Sequence, residues 1–316
     1  MDQKLAAVLN LLKINEKQYL SGTLIGKTLG ISRSAVWKQI EKLRKEGYQI
    51  KARSHCGYCL YSGPDLLDQS RIVDQKIIYL QSVDSTNLDA RQLAVENAPS
   101  ETTVVAEEQQ AGKGRLGRSW FSPQGKGLWF TIMLRPKLMS PADANPITLV
   151  TAAVITDYLN TVCDLPARIK WPNDLILHEK KLAGILTEIK TDLDQIDYLL
   201  IGIGLNISQE SIDFPRELRN KATSIKIETG MVIDRTEFFL DIRERLIKAY
   251  RLFETEGFIP FRKSWIKYNE TLGRKVTVKW AGGSLTGIAI DLSVTGNLLI
   301  RDQQNKIHQV NYGELI

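Results

Sequence analysis

The stretch QQAGKGRLGRSW, residues 109–120, sets Lys113, Arg115 and Arg118 among three glycines, with Trp120 close behind. Guanidinium forks suit carboxylates and phosphates, glycines let backbone amides approach an anion, and an indole offers a flat face to a ring. Gly112, Gly114 and Gly117 also satisfy G-x-G-x-x-G. Counted from Gly112, the loop reads G-x-x-x-x-G-R-S, with Arg118 where a P-loop has lysine. Both nucleotide fingerprints need a helix directly after the loop to receive phosphate at its N-terminus. Pro123, Gly125 and Gly127 follow instead, then the strand-like LWFTIMLRP, and residues 132–140 hold no acid for a ribose. Neither fingerprint holds. What remains is a flexible cationic loop, against which stands the bland reading of a solvated hairpin turn.

A second group of residues favours the chemical reading. KWPND, residues 170–174, is a turn between strands whose Asp174 is the single carboxylate that Mg²⁺ takes beside substrate phosphates. Lys181, three residues before Gly184 at a strand start, is a point charge for an anion. Asn206 ends the apolar run DYLLIGIGLNI, at a strand end where open sheets carry functional residues. Singly, a lysine is usually solvated and a PND turn is usually a turn. His55, Cys56 and Cys59 in HCGYC raise zinc or redox chemistry, but no second ligand pair accompanies them and they read as part of a β wing.

These residues need a scaffold, and 316 residues exceed one ordinary core, so two or three domains are expected. With 43% hydrophobic and 25% charged residues, wholesale disorder is excluded. No apolar run reaches the roughly 18 residues of a bilayer span, and the first 20 residues lack a signal peptide's apolar core. Three cysteines make no disulfide framework, so a cytoplasmic protein is expected, with no membrane partner. Charge is segregated. Of 42 basic and 36 acidic residues, 11 and 5 fall within residues 1–65, leaving 31 of each in the remainder. A basic module on a neutral body points to a polyanion partner beside another activity.

The basic module reads as residues 1–63, closed by Gly63-Pro64. Leu5, Val8, Leu9 and Leu12 mark a first helix, and a second runs from a Ser21 cap to Gly30. The third, with Ser32 as cap, buries Val36, Ile40 and Leu43 and stops at Gly47. LGIS between the last two matches a helix-turn-helix. Ser32, Arg33, Ser34, Trp37 and Lys38 sit at the recognition helix's N-terminal end, and YQIKARSHCGYCLYS follows as the wing. In the body, residues 64–268, strands are expected at KIIYLQSV, TTVVAEEQQ, LWFTIMLRP, around WPND and HEKK, and at DYLLIGIGLNI. Ser85 is expected to cap a helix to about Asn97. Asn145 is the expected cap of a second, with Pro146 in its first turn and Ile147, Val150, Val154 and Tyr158 inward. Asp234 and Glu237 open a third, reaching about Glu256. Short strands with glycine turns then suggest a small β-barrel, residues 269–316.

DSTN (84–87), QQAGKGRLGRSW (109–120), KWPNDL (170–175), KLAGIL (181–186) and GIGLN (202–206) resemble the biotin–protein ligases in sequence and order. With the helix-turn-helix, the resemblance is to the bifunctional biotin-operon repressor form and spans essentially the whole chain. It implies a multidomain α+β fold: a winged helix-turn-helix, a mixed α/β ligase domain of class II synthetase-like type, and an SH3-like barrel. It also implies that biotin and ATP form biotinoyl-5′-AMP and diphosphate, and that the acyl group then passes to a carrier-domain lysine. Such chemistry needs positioning and charge stabilisation rather than a protein nucleophile.

By similarity, Ser85, Thr86, Asn87 and Gln109 contact biotin, with Gly112, Lys113 and Arg115 in the loop covering it and Gly184 beside it. Lys181 faces the carboxylate and α-phosphate. Arg118, Trp120 and Asn206 hold ATP or adenylate, Asp174 holds Mg²⁺, and Lys181, Arg115 and Arg118 form the catalytic set. Lys113 replaces the family's usual arginine, which removes bidentate contact. Cys56 likewise stands where a basic residue is common. SIDFPRELRNKATSI resembles the adenine-side loop only loosely. The family's repressor logic has biotinoyl-AMP as corepressor, ordering the loop and favouring a homodimer that binds a two-part operator. The alternatives are a ligase for another acid such as lipoate, or a repressor without ligase activity.

Overall fold

Leu5, Val8, Leu9 and Leu12 are all buried on one side of α1 (Gln3–Ile14), as their spacing requires. The second helix, α2 (Gly22–Leu29), begins where the Ser21 hydroxyl accepts the Leu24 N–H at 3.0 Å and ends at Gly30, whose φ of 65° is left-handed. In α3 (Arg33–Lys45), Ser32 Oγ accepts from the Ala35 N–H at 3.2 Å, and Val36, Ile40 and Leu43 pack on α1 and α2. An antiparallel hairpin, β1 (Gln49–Arg53) and β2 (Gly57–Ser62), completes a winged helix-turn-helix. The computed structural model describes residues 3–45, 47–63, 65–192, 195–280 and 282–315; Pro64, in the expected boundary, lies outside them. The chain divides into compact units Met1–Leu66 and Leu67–Ile316.

The second unit opens with β3 (Ile77–Val83), α4 (Thr86–Val95) and β4 (Thr103–Gln109). Next come β5 (Gly127–Leu134), α5 (Ile147–Thr161), β6 (Arg168–Lys170), β7 (Asp174–Leu177), β8 (Lys180–Asp192), β9 (Gln195–Asn206) and the short α6 (Ile225–Thr229). Seven strands form one sheet in the order β3-β4-β5-β9-β8-β7-β6, in which β3 and β4 are parallel and every other neighbouring pair is antiparallel. Side-chain alternation gives the sheet two different faces. Leu128, Phe130, Ile132 and Leu134 of β5 join Ile201, Ile203 and Leu205 of β9 under α5, α7 (Arg235–Glu256) and α8 (Ile259–Tyr268). On the opposite face, Met133 and Leu200 pack beneath Ala90 and Ala94 of α4. Thr131, Gly202, Gly204 and Gly184 lie further along that face, where the sheet is uncovered by helix. The site is built there.

Two of the three expected caps differ in detail. Pro146 is itself the N-cap residue of α5, with φ −69° and ψ −6°, so Asn145 does not cap the helix. Proline's fixed φ and missing N–H suit it to that position without a side-chain acceptor. Val154 is half-buried and packs against the core beside the buried Ile147, Val150 and Tyr158, as expected. Ser85 is the N-cap of α4, which ends at Val95, but its hydroxyl makes no capping bond. By contrast, the Asp234 carboxylate accepts the N–H groups of Thr236 and Glu237, and α7 runs to Glu256 as expected.

The tail holds β10 (Lys275–Trp280), β11 (Gly283–Leu292), β12 (Leu298–Arg301), β13 (Ile307–Val310) and β14 (Glu314–Leu315), an antiparallel set in the order β13-β12-β11-β10-β14. Val278, Ala289, Leu298 and Ile300 share the core beneath α5 and α8. That continuity matters below, because β14 reaches the glycine-rich loop. Within the same unit, Arg235 of α7 and Glu107 of β4 form an ion pair at 2.9 Å with exposures of 1% and 0%.

Candidate active site

A cavity of about 370 Å³ opens on the uncovered sheet face. Ser85, Thr86, Asn87, Gln109, Lys113, Arg115, Arg118, Trp120, Asp174, Lys181, Gly184 and Asn206 all line it, so residues scattered over 122 positions converge as expected.

One end is neutral and rich in hydrogen-bonding groups. Gln109 Oε1 accepts from the Thr86 N–H at 2.9 Å and faces the Thr86 hydroxyl at 3.1 Å, while its Nε2 donates to Ser122 Oγ at 2.8 Å. The Thr131 hydroxyl lies 2.8 Å from Thr86 Oγ1 and 2.6 Å from Asn87 Oδ1. Charge gathers at the middle. Lys181 Nζ is 2.7 Å from Asp174 Oδ1 and 5.2 Å from the centre of the Trp120 ring. Asp174 Oδ1 has no aligned hydrogen bond despite that contact, so the two form a charge pair rather than a directed bond. The register explains the meeting: β7 pairs Asp174 with Gly184 and Ile176 with Lys181. Lys181 is also stitched to the next wall, donating its N–H to Lys221 O and accepting from Thr223 N–H.

Two glycines make room for this arrangement. A Cβ on Gly202 would stand 2.2 Å from Asn87 Oδ1, and one on Gly204 would stand 2.3 Å from Trp120 Nε1. Neither distance is tolerable, so the β9 glycines let an amide and an indole lie directly on the strand. Trp120 packs edge-on to Trp129, with centroids 6.5 Å apart, and its buried Nε1 has no hydrogen-bond partner among the described residues. A buried orphan donor at a cavity wall is a place for a ligand acceptor.

The loop above is a narrow hairpin rather than a slack lid. Gly114 N–H donates to Arg118 O at 2.7 Å, Trp120 N–H to Gly112 O at 2.8 Å, and Gln109 N–H to Ser122 O at 3.1 Å. Arg115 reaches across the cavity mouth, donating to Asn173 Oδ1 and to Gly313 O at 3.0 Å each, while Arg118 pairs with Glu314. Burial lowers the Arg115 pKa and the nearby Asp174 and Glu314 carboxylates raise it; a guanidinium stays charged throughout. The backbone amides that glycine freedom suggested for anion binding are therefore partly used within the hairpin.

Known proteins match this chain in three blocks. The family model for the biotin/lipoate A/B protein ligase family covers residues 78–206, an HTH domain covers 4–59, and the biotin protein ligase C terminal domain covers 271–316. The bifunctional ligase/repressor BirA of Bacillus spizizenii is 38% identical, over 91% of this chain and 90% of its own length. That of Escherichia coli is 32% identical, over 90% and 88%. The chain belongs to the bifunctional biotin ligase/repressor family. The biotin protein ligase of Aquifex aeolicus, solved with biotin and ATP, superposes with a TM-score of 0.66 at 31% identity, covering 77% of this chain and 98% of that one.

Against the residues that family resemblance selected, two positions behave differently. Gly112 does not line the cavity. It sits behind the hairpin, where a Cβ would meet Trp120 O at 2.6 Å and Ser122 Oγ at 2.9 Å, so close backbone packing explains it. Asn206 does line the cavity, but its amide donates to Thr223 O at 2.9 Å and accepts from Gln209 at 2.8 Å. It fastens the segment after β9 onto the sheet. That segment supplies Phe214, Leu218 and Ala222 to the cavity, with Phe121 6.2 Å from Phe214. Their spacing of four inside a charged stretch was the available clue.

A magnesium ion fits a limited role in a ligase of this family. Among the described residues no cluster of three His, Cys, Asp or Glu forms a protein cage, and the cavity's carboxylates are Asp174 and Glu314. Asp174, unaligned with its lysine, suits an ion held mainly by substrate phosphates. In the family's DNA module, Arg33, Ser34, Trp37 and Lys38 are exposed, Trp37 by 52%, and Ser32 Oγ lies 2.9 Å from Ser34 Oγ. His55 occupies the wing turn at φ 61°, Cys56 is half-buried and Cys59 is wholly buried. Lys51 lies 3.9 Å from the centre of the Tyr61 ring beside them.

Proposed function

We propose that the chain joins biotin to ATP as biotinoyl-5′-AMP, transfers the biotinoyl group to a carrier-protein lysine, and represses transcription through its winged helix-turn-helix. The observation that carries the reading is the graded cavity. Its neutral amide–hydroxyl end suits an uncharged ring with amide-like groups, and the Lys181 ammonium stands where a carboxylate and phosphate would meet. Ser85, Thr86, Asn87 and Gln109 receive the ring system, and Arg115 closes over it. The acid's carboxylate attacks the α-phosphorus and diphosphate leaves; Lys181 stabilises charge on the α-phosphate, with Arg118 drawn from Glu314 to the triphosphate. Asp174 would hold magnesium beside the phosphates, where the ion would offset their charge. The carrier amine then displaces AMP. Trp120 and the Phe214 segment hold the nucleotide.

The expected result with biotin, ATP, magnesium and a carrier domain is a carrier heavier by one biotinoyl group, measured by intact mass. An unmodified carrier, or one that takes lipoate equally, overturns the biotin assignment.

Adenylate ordering of the hairpin, homodimer formation and binding of a two-part operator follow as one population shift. Arg33, Ser34, Trp37 and Lys38 enter the groove. Operator affinity is expected to rise at least tenfold when biotin and ATP are added together, and Arg115→Ala should abolish the rise while sparing the weak basal binding. An affinity indifferent to the two substrates refutes this regulation. A cytoplasmic location accords with ATP, DNA and carrier as partners and with the absence of any described helix long and apolar enough to cross a membrane.

A further inference from the structure

Glu188 of β8 lies two residues beyond Leu186 on the strand face that carries Gly184, at the far edge of the neutral end. Its Oε1 accepts from Asn87 Nδ2 at 3.0 Å, and its other oxygen pairs with Arg91 of α4. We propose that Glu188 is a positioning residue that sets the hydrogen-bond polarity of the acid-recognition end, acting through Asn87. The proposal rests on the reading that this end receives biotin.

The argument starts from the ambiguity of an amide. Its two ends have the same shape but opposite hydrogen-bonding sense, and Asn87, 4% exposed, is clamped between Glu188 and Thr131. A carboxylate accepts and does not donate, so the Asn87 NH₂ must face Glu188 and its Oδ1 must face Thr131 and Gly202. The single Thr131 proton is then drawn to Asn87 Oδ1 at 2.6 Å rather than to its other acceptor, Thr86 Oγ1 at 2.8 Å, while the Thr86 hydroxyl donates to Gln109 Oε1 at 3.1 Å. Gln109 Oε1 keeps the Thr86 N–H, and Gln109 Nε2 donates to Ser122. One anion at the edge thereby fixes the sense of Asn87 and the proton of Thr131, next to the Thr86–Gln109 pair, and such linked hydrogen bonds polarise together. A cyclic urea presents one oxygen acceptor and two N–H donors, so the sense of the chain decides whether it is complemented or opposed.

Glu188→Gln removes the compulsion, because a glutamine amide can donate to Asn87 as well as accept from it. The experiment uses the full chain, with titration of biotin and of its cyclic guanidine analogue 2-iminobiotin, and with biotin-dependent pyrophosphate exchange. E188Q is expected to raise the biotin KM at least tenfold, with kcat and the ATP KM within about twofold. It should also narrow the preference for biotin over iminobiotin at least threefold, and Glu188→Asp, which keeps the anion, should restore most of both. Equal losses for the two ligands, a fall in kcat with a rise in ATP KM, or wild-type behaviour each overturn the proposal. If E188Q melts far below the wild type, the E188D preference ratio decides instead: a ratio at the wild-type value supports the proposal and a narrowed one sinks it. Wild-type protein that binds no biotin sinks the ligand reading and the proposal together, whereas tight wild-type binding with an indifferent E188Q sinks the proposal alone.

Discussion

Lys181→Ala is expected to lower adenylate formation by about 10²–10³-fold, the scale of losing one preorganised charge at a developing anion. No other cation sits as Lys181 does, between the Asp174 carboxylate at 2.7 Å and the Trp120 ring, at the junction of the neutral and charged halves of the cavity. Lys113 is exposed on the hairpin, Arg115 is spent on Asn173 and Gly313, and Arg118 on Glu314. Neither arginine can move into the vacated place without breaking a bond already made. The substitution also leaves Asp174 without its counter-ion beside the incoming phosphates, so repulsion adds to lost attraction. Biotin-dependent pyrophosphate exchange reads the step directly, and tryptophan fluorescence melts report folding. A Lys181→Ala enzyme within threefold of wild type would remove Lys181 from the chemistry.

The chemistry of this site was legible before its shape. Cations, glycines and an indole in one loop, a lone carboxylate in a turn and a lysine at a strand start are patterns of residue type, and they converge on one cavity. The polar lining that sequence reasoning missed is of another kind. Thr131, buried behind the lining residues Thr86 and Asn87, lies mid-strand in a run of apolar residues, where nothing local distinguishes a threonine that supports a site from one that faces a core. Gly202 and Gly204 read as part of a buried strand, which they are; that they are flattened to admit Asn87 and Trp120 depends on partners over 80 positions away. Glu314 and Gly313 belong to the tail's last strand, and only the core shared with α5 and α8 brings them to Arg115 and Arg118. Local grammar gave most helix starts, failing at Asn145 because the first-turn N–H groups of Ile147 and Leu149 go to the Ala144 and Pro146 carbonyls instead.

Arg235→Met is expected to destabilise the ligase unit by about 3–5 kcal/mol, the usual cost of orphaning one partner of a buried ion pair. Arg235 donates from Nε and Nη2 to Gly127 O at 3.1 and 2.7 Å and from Nη2 to Glu107 Oε2 at 2.9 Å; Glu107 Oε1 accepts the Leu67 N–H at 2.6 Å. Both side chains are cut off from water, so methionine fills the volume but leaves a buried carboxylate with neutral donors only, the Leu67 N–H and the Tyr79 hydroxyl. At roughly 2–4 °C per kcal/mol for a unit of this size, the melting temperature should fall by about 10 °C. Five of the six tryptophans lie in the ligase unit, so fluorescence reports it selectively. The decisive comparison is Glu107→Leu/Arg235→Met, because an apolar pair removes both charges together. Its stability should exceed that of Arg235→Met, with a coupling of at least about 1 kcal/mol, though Leu67 N–H and Gly127 O still lose partners and full recovery is not expected. Strictly additive losses would mean that the two charges stabilise the fold independently. The pair also bears on function: Glu107 stands two residues before Gln109, and Gly127 is the first residue of the strand leaving the glycine-rich hairpin. It therefore staples both ends of that hairpin, and the double variant, though more stable than Arg235→Met, should hold adenylate less well than the wild type.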